Sequence, residues 1–316
     1  MSRASDDIRT AFGIGEWYGR VFSGLAPADR LAFARLQFGH LKDSPKPECP
    51  FRGGACSKKG GVCSLRQYVQ RPDGSVAPAE GEAGALRTTC PYRFYEDDRL
   101  LPWLGERLLG HPAPKVVKEV GFLKPLPTIG QGMHGDHQQR KEIGRIDMVL
   151  VRPDSGPQLD WCAVEMQAVY FSGDSMSREF RFLADYRGAD IPFPVGKRRP
   201  DYRSSGPKRL LPQLQIKVRD ISRWGKRMAV VVDRSFFHAL ARMHFEDDIS
   251  NADIAWFVVR FDEDQPLAAS LALDGVYLTK LEHAVSGLTG GIARTQAEFE
   301  RDIRLKLGQA TDTMRV

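Results

Sequence analysis

Three polar side chains, Asp147, Glu165 and Gln167, stand where apolar ones are expected. They occupy two short runs rich in β-branched residues, Gly144 to Val151 and Trp161 to Val169, bounded by glycine and by the turn segment Pro153 to Gly156. Such runs predict a hairpin-like pair of strands in a mixed sheet. Side chains alternate faces along a strand, so Ala163, Glu165 and Gln167 share one face while Cys162, Val164, Met166 and Ala168 share the other. Asp147, Glu165 and Gln167 are therefore expected to converge at one point. A buried carboxylate is costly unless it is paired or binds a cation, so two of them in apolar strands point to a hard divalent metal such as magnesium. The plain alternative is a pair of acids on the solvent side of a half-exposed sheet.

A second set of candidate ligands lies upstream. Cys49, Cys56 and Cys63 recur at seven-residue intervals in a segment dense in Gly, Pro and Lys, and Cys90 follows after a loop of 26 residues. So little apolar content cannot build a core by burial, whereas four thiolates suffice for a closed tetrahedral site with zinc or iron. An odd total of five cysteines, three of them close together, suits metal ligation in a reducing compartment better than disulfides. Within the loop, Pro72 to Ala85 reads as a mobile insertion.

These two sets together resemble a known family. Asp147 followed by Glu165-Met166-Gln167 is similar to the active-site pattern of the PD-(D/E)xK nucleases in its Glu-x-Gln variant. Cys49-Pro-Phe51, Gly61-Val-Cys63 and Cys90-Pro91, preceded by Ile14 to Arg20, resemble the N-terminal region of NotI-type type II restriction endonucleases, and Asn251 to Phe261 resembles a strand of that family. The resemblance spans Ile14 to Asp264. It implies a magnesium-dependent, sequence-specific endonuclease that cuts double-stranded DNA as a homodimer and leaves 5′-phosphates, at a site expected to be a GC-rich palindrome. It also implies an iron-holding four-cysteine domain beside the catalytic core. Asp147 and Glu165 would ligate magnesium, and Gln167 would orient water or a phosphate oxygen. A glutamine replaces the usual lysine and carries no positive charge, so the charge-stabilising role has no assigned residue. An upstream Glu often completes the metal shell in this superfamily, which makes Glu106 and Glu119 candidates, although glutamate is mostly a surface residue.

The rest of the chain must position these groups. A chain of 316 residues, 42% hydrophobic and 27% charged, is that of an ordinary soluble globular protein. It carries no apolar run near the roughly 18 residues that span a bilayer and no signal-like N-terminus, so a cytoplasmic location with no membrane partner is expected. The net charge of +6 is localised: from Phe193 to Met228 eleven Lys or Arg stand against two Asp, so this stretch carries +9 and the remainder −3. A basic patch on a mildly acidic protein fits polyanion binding. Lys197, Arg198, Arg199, Arg203, Lys208, Arg209, Gln213 and Gln215 are its candidate DNA contacts, since Arg and Lys pair with guanine and Gln with adenine. Prolines and glycines from Pro192 to Pro212 predict a long loop. The stretch Gly130 to His137, where two His flank an Asp, is read as a loop facing DNA or solvent rather than as a metal site.

Periodicity predicts two packing helices between Ala11 and Phe38, a helix over Leu100 to Leu109, and an element of undecided type from Lys115 to Leu123. It further predicts a helix from Gln213 to Arg223, a buried strand Met228 to Asp233, a helix Ser235 to Phe245, a strand Ile254 to Phe261 and a charged C-terminal helix. This alternation indicates an α/β fold, a nuclease core with a mixed sheet flanked by helices. Residues 1–95 would form the N-terminal helices and a loop-rich four-cysteine metal-binding domain, and 96–316 the endonuclease domain. Two other readings compete: a non-catalytic DNA-binding protein with structural acids, and a repair nuclease of the same fold without sequence preference.

Overall fold

The computed structural model describes residues 8–38, 47–124, 143–291 and 294–313. The chain begins with strand β1 (Arg9–Trp17) and continues through β2 (Arg20–Val21), helix α1 (Pro27–Arg35), β3 (Val62–Gln70), β4 (Val76–Pro78), the short helix α2 (Gly81–Gly84) and β5 (Arg87–Thr88). These strands form one sheet in the order β2-β1-β3-β4, with β5 also paired to β3. The first of the two helices expected before Phe38 is therefore a strand. Its Gly13 and Gly15 disfavour helix, and they let β1 lie close to neighbours, since a Cβ on either would collide with Pro194 or with Leu86. The second expected helix is α1, with Pro27 at its start and Asp29 in its first turn. The segment read as an insertion supplies β4 and α2, and β4 pairs with β3 from Tyr68 to Gln70.

The central layer follows. It comprises α3 (Leu100–Leu109), β6 (Lys115–Leu123), β7 (Ile143–Val151), β8 (Trp161–Met166), β9 (Phe171–Gly173), α4 (Met176–Asp185), β10 (Arg198–Pro200), α5 (Tyr202–Ser205), α6 (Leu211–Arg223), β11 (Met228–Asp233), α7 (Arg234–His238), β12 (Ile254–Gln265), β13 (Ala268–Thr279), α8 (Leu281–Thr289) and α9 (Gln296–Thr313). Six strands order as β13-β12-β11-β8-β7-β6. β11 runs parallel to both β8 and β12, while the outer pairs are antiparallel. All six residues of β11 are buried, as a run apolar on both faces requires. Met228, Val230 and Val232 pack against α6 and α8, and Ala229 and Val231 pack toward α3. The mixed sheet flanked by helices is the architecture that the sequence predicts. The expected long loop before Pro212 instead holds β10, α5 and a π-helical turn, Gly206–Leu210. The helix expected from Ser235 to Phe245 stops at His238.

One side chain ties the two layers together. Arg93 is fully buried, and its guanidinium donates to Glu16 of β1 at 2.8 Å, to Glu96, and to the carbonyl of Ala269 in β13 at 2.7 Å. It also lies between the rings of Phe51 and Phe261, 4.6 and 4.3 Å from their centroids. A planar fork of five donors suits this multiple role. Arg93→Met should lower stability in urea unfolding by about 3–5 kcal/mol, because it leaves the buried Glu16 carboxylate without its cation. A loss under about 1 kcal/mol would show that the network contributes little.

Candidate active site

β7 and β8 are paired from Val151↔Trp161 to Met148↔Val164. Beyond that point β7 stays with β6 through Ile146 and Arg145, while β8 stays with β11 through Glu165 and Met166. Asp147 and Glu165 stand at this fork. Asp147 is exposed, and its Oδ2 accepts a hydrogen bond from the Met166 backbone N–H at 3.0 Å. Glu165 is only 6% exposed, and its Oε1 accepts from Lys217 Nζ at 2.5 Å. Burial and then the nearby Asp147 charge push the Glu165 carboxyl up to about 7, against the opposing pull of Lys217. The two acids thus stand near each other at the fork, Asp147 exposed and Glu165 buried.

Gln167 follows at the end of β8. Its backbone N–H donates to Val231, and its side-chain amide donates to the Ala168 carbonyl at 2.5 Å. It lines a cleft of about 560 Å³ together with Lys58, Lys59, Thr89, Tyr170 and Arg209. Arg209 lies over the Tyr170 ring at 4.6 Å. The cleft therefore joins the cysteine segment, the end of β8 and the basic segment before α6.

Lys217, which the sequence reading counts only as one of the eleven cations between Phe193 and Met228, is the residue whose place beside the acids that reading misses. It lies on α6 one turn from Leu214, on the face that also buries Val218 and Ile221, and it is 1% exposed. Its ammonium also donates to the carbonyl of Arg145, within the fork. The signal was a lysine at a core position of an amphipathic helix, where a charge survives only if paired. Of the two upstream glutamates, Glu119 adopts a left-handed backbone conformation and pairs with Arg145 at 2.9 Å. Burial first, and then the charges of Asp147, Tyr92 and Glu119, push the Tyr95 phenol up to about 12. Glu106 instead lines a separate depression with Trp103 and Phe257.

Asp147 and Glu165 are the residues of the fork that could hold a hard cation. Two negative charges, one of them buried, oppose each other there, and a divalent ion between them would relieve that repulsion. Among the described residues no group of three or more His, Cys, Asp or Glu side chains stands at metal-ligand spacing. A two-carboxylate site suits magnesium, which keeps several of its waters.

The upstream cysteines are all free and buried. Cys49 and Cys56 flank a tight hairpin, in which Cys49 N–H donates to Gly54 and Cys56 N–H to Pro47. Cys63 and Cys90 are joined by a backbone bond, Cys90 N–H to the Cys63 carbonyl at 3.2 Å. Burial raises the Cys90 thiol, against the pull of the Tyr92 backbone N–H and of Lys58; burial likewise pushes Cys63 well up, with Glu16 adding to it. These four sulfur donors, expected from the sequence to hold one metal, are not gathered at metal-ligand spacing among the described residues. Gly61 lets the chain lie against the Tyr18 ring, since its φ of +69° and that ring leave no space for a Cβ. Cys162, by contrast, is a core residue of β8, its thiol pushed up to about 12 by burial.

The basic candidates are dispersed. Arg198 lies inside the protein, paired with Glu179 at 2.8 Å and bonded to the carbonyls of Asp174 and Ser175, so it is not free to meet DNA. Lys197 and Arg199 are exposed in a larger cleft of about 1080 Å³ with Arg9, Gln70 and Arg178. Arg203 and Lys208 are exposed, Gln213 is half-buried, and Gln215 lies in a further depression beside Arg219. The stretch Gly130 to His137 lies outside the described residues.

No helix among the described residues is long and apolar enough to cross a membrane. No curated protein matches the chain. Residues 35–273 match the family model of the restriction endonuclease NotI, and this span includes the four cysteines, the fork of β7 and β8, and Lys217. The match covers most of the chain, which thus belongs to the NotI restriction endonuclease family, the type II enzymes that cut double-stranded DNA at specific sequences.

Proposed function

We propose that the cleavage centre is the PD-(D/E)xK site formed by Asp147, Glu165 and Gln167 at the fork of β7 and β8, and that it acts with magnesium. The observation that carries this reading is the buried carboxylate of Glu165 set against the exposed carboxylate of Asp147. Both acids would hold the ion, which when bound polarises the scissile phosphate and lowers the pKa of the attacking water. Gln167 orients that water or a phosphate oxygen through its amide once it leaves the Ala168 carbonyl. Lys59 and Arg209, which both line the cleft that Gln167 enters, meet the backbone phosphates beside the cut. Lys197, Arg199, Arg203, Lys208, Gln213 and Gln215 remain candidate DNA contacts; Arg198 serves to shape their loop. The products would be a 5′-phosphate and a free 3′ hydroxyl. The substrate would be a GC-rich palindrome met by a homodimer, because a two-fold protein matches a two-fold site. Cys49, Cys56, Cys63 and Cys90 would hold iron or zinc and so stabilise the N-terminal unit, 1–95, beside the endonuclease unit, 96–316.

Three experiments test this reading. Purified protein incubated with phage DNA and magnesium should give discrete bands, and Asp147→Ala should slow cleavage on the order of 10³-fold, a loss of several kcal/mol of charge stabilisation. Full activity in that variant would place the chemistry elsewhere. Calcium binding followed by calorimetry should release a proton below about pH 7 and tighten as pH rises toward that value, because the ion displaces the proton from Glu165. The sign follows from the raised carboxyl: below about 7 Glu165 is largely protonated and competes with the cation. Glu165→Gln should abolish the proton release, and a pH-independent affinity in the parent protein would contradict the assignment. Elemental analysis should find one iron or zinc per chain, and Cys63→Ser should lose it together with thermal stability; a metal-free parent protein would remove the four-thiolate site.

A further inference from the structure

Two carboxylates and an amide leave a phosphate-cleaving site without a fixed positive charge of its own. Among the described residues Lys217 is the one lysine that is buried, and its ammonium reaches into the fork between Arg145 of β7 and Glu165 of β8. A lysine forced into the core of an amphipathic helix is costly, and a leucine or methionine would fill the space between Leu214 and Ile221 without that cost. The cation is also placed by the same helical stretch that carries Lys208 and Arg209, because the turn Gly206–Leu210 runs directly into α6 with helical backbone at the junction.

We propose that Lys217 is a positioning residue of the cleavage site: its ammonium holds the Glu165 carboxylate in ligating orientation and supplies the fixed positive charge that Gln167 cannot. This rests on the reading that Asp147 and Glu165 hold the divalent ion. Lys217 thus does from a helix, behind the sheet, what a lysine at the position of Gln167 would do from the strand. A purely structural ion pair is the competing explanation, since buried pairs are often replaceable by apolar residues without loss of stability.

The test uses the full chain and a DNA fragment bearing its cut site. Single-turnover rates are measured against magnesium concentration for the parent protein, Lys217→Met, Lys217→Arg, Asp147→Ala and the double variant Gln167→Lys with Lys217→Met, alongside thermal melting and DNA affinity in calcium. Lys217→Met should cleave about 10²-fold more slowly or worse, as expected for loss of a preorganised charge, and should need more magnesium for half-maximal rate while binding DNA as before. Lys217→Arg should exceed Lys217→Met, and returning the charge on the strand with Gln167→Lys should regain about tenfold or more over Lys217→Met. Parent-like cleavage and metal requirement in Lys217→Met, or an arginine variant no better than the methionine one, overturns the proposal. If Lys217→Met does not fold, the double variant is read against the parent: cleavage within about tenfold supports the proposal and an inactive folded double variant overturns it. Parent-like cleavage in Asp147→Ala would instead show that the site itself lies elsewhere, which separates failure of this proposal from failure of the reading beneath it.

Discussion

The cost of ionising Glu165 inside the central sheet is the constraint on which the rest of the site depends. Its carboxyl is pushed up to about 7 because it lies between layers of packed helix and sheet with a second acid at the mouth. Two features already present lessen that cost: the Lys217 ammonium behind it and the opening of the β7–β8 pair in front of it. The sheet makes the opening by sharing its strands, β7 following β6 and β8 following β11. Position and charge at the fork are thus consequences of topology as much as of the three polar residues themselves.

The same logic governs the N-terminal unit. The cysteine hairpin has few apolar side chains of its own, so it is held from outside. Trp17 Nε1 donates to the Gly60 carbonyl at 2.7 Å, Tyr18 N–H donates to Gly61, and Phe51 stacks on the Arg93 guanidinium. Phe180 and Leu183 of α4 enter the core that Trp17 and Tyr68 begin. The cysteine segment is therefore seated against the layer that carries the acids, and its Lys58 and Lys59 share a cleft with Gln167.

Much of this was legible in the sequence because it follows from periodicity. The alternation around Asp147 and Glu165 fixed two strands and the approach of two acids, and the unbroken run Met228 to Asp233 announced a strand covered on both faces. β1 was misread because Ile14, Trp17 and Val21 fall three and four residues apart, spacings that a helix also satisfies, while its glycines, the contrary signal, are explained only by neighbours such as Pro194 from far along the chain. Arg198 was misread because a charge run does not reveal which member is turned inward to Glu179. Lys217 was counted with that run for the same reason, although its place on the apolar stripe of α6 carried the information. What local pattern cannot supply is the partner, and each of these residues is defined by a partner distant in sequence.

The central claim is that one divalent ion sits in the fork between Asp147 and Glu165. The most direct measurement is an anomalous-difference map from crystals of the protein soaked with manganese, an ion that oxygen ligands accept in place of magnesium. The account predicts a peak within about 2.0–2.2 Å of a carboxylate oxygen from each acid. A saturated crystal with no peak there, or with its peak on other side chains, would contradict it.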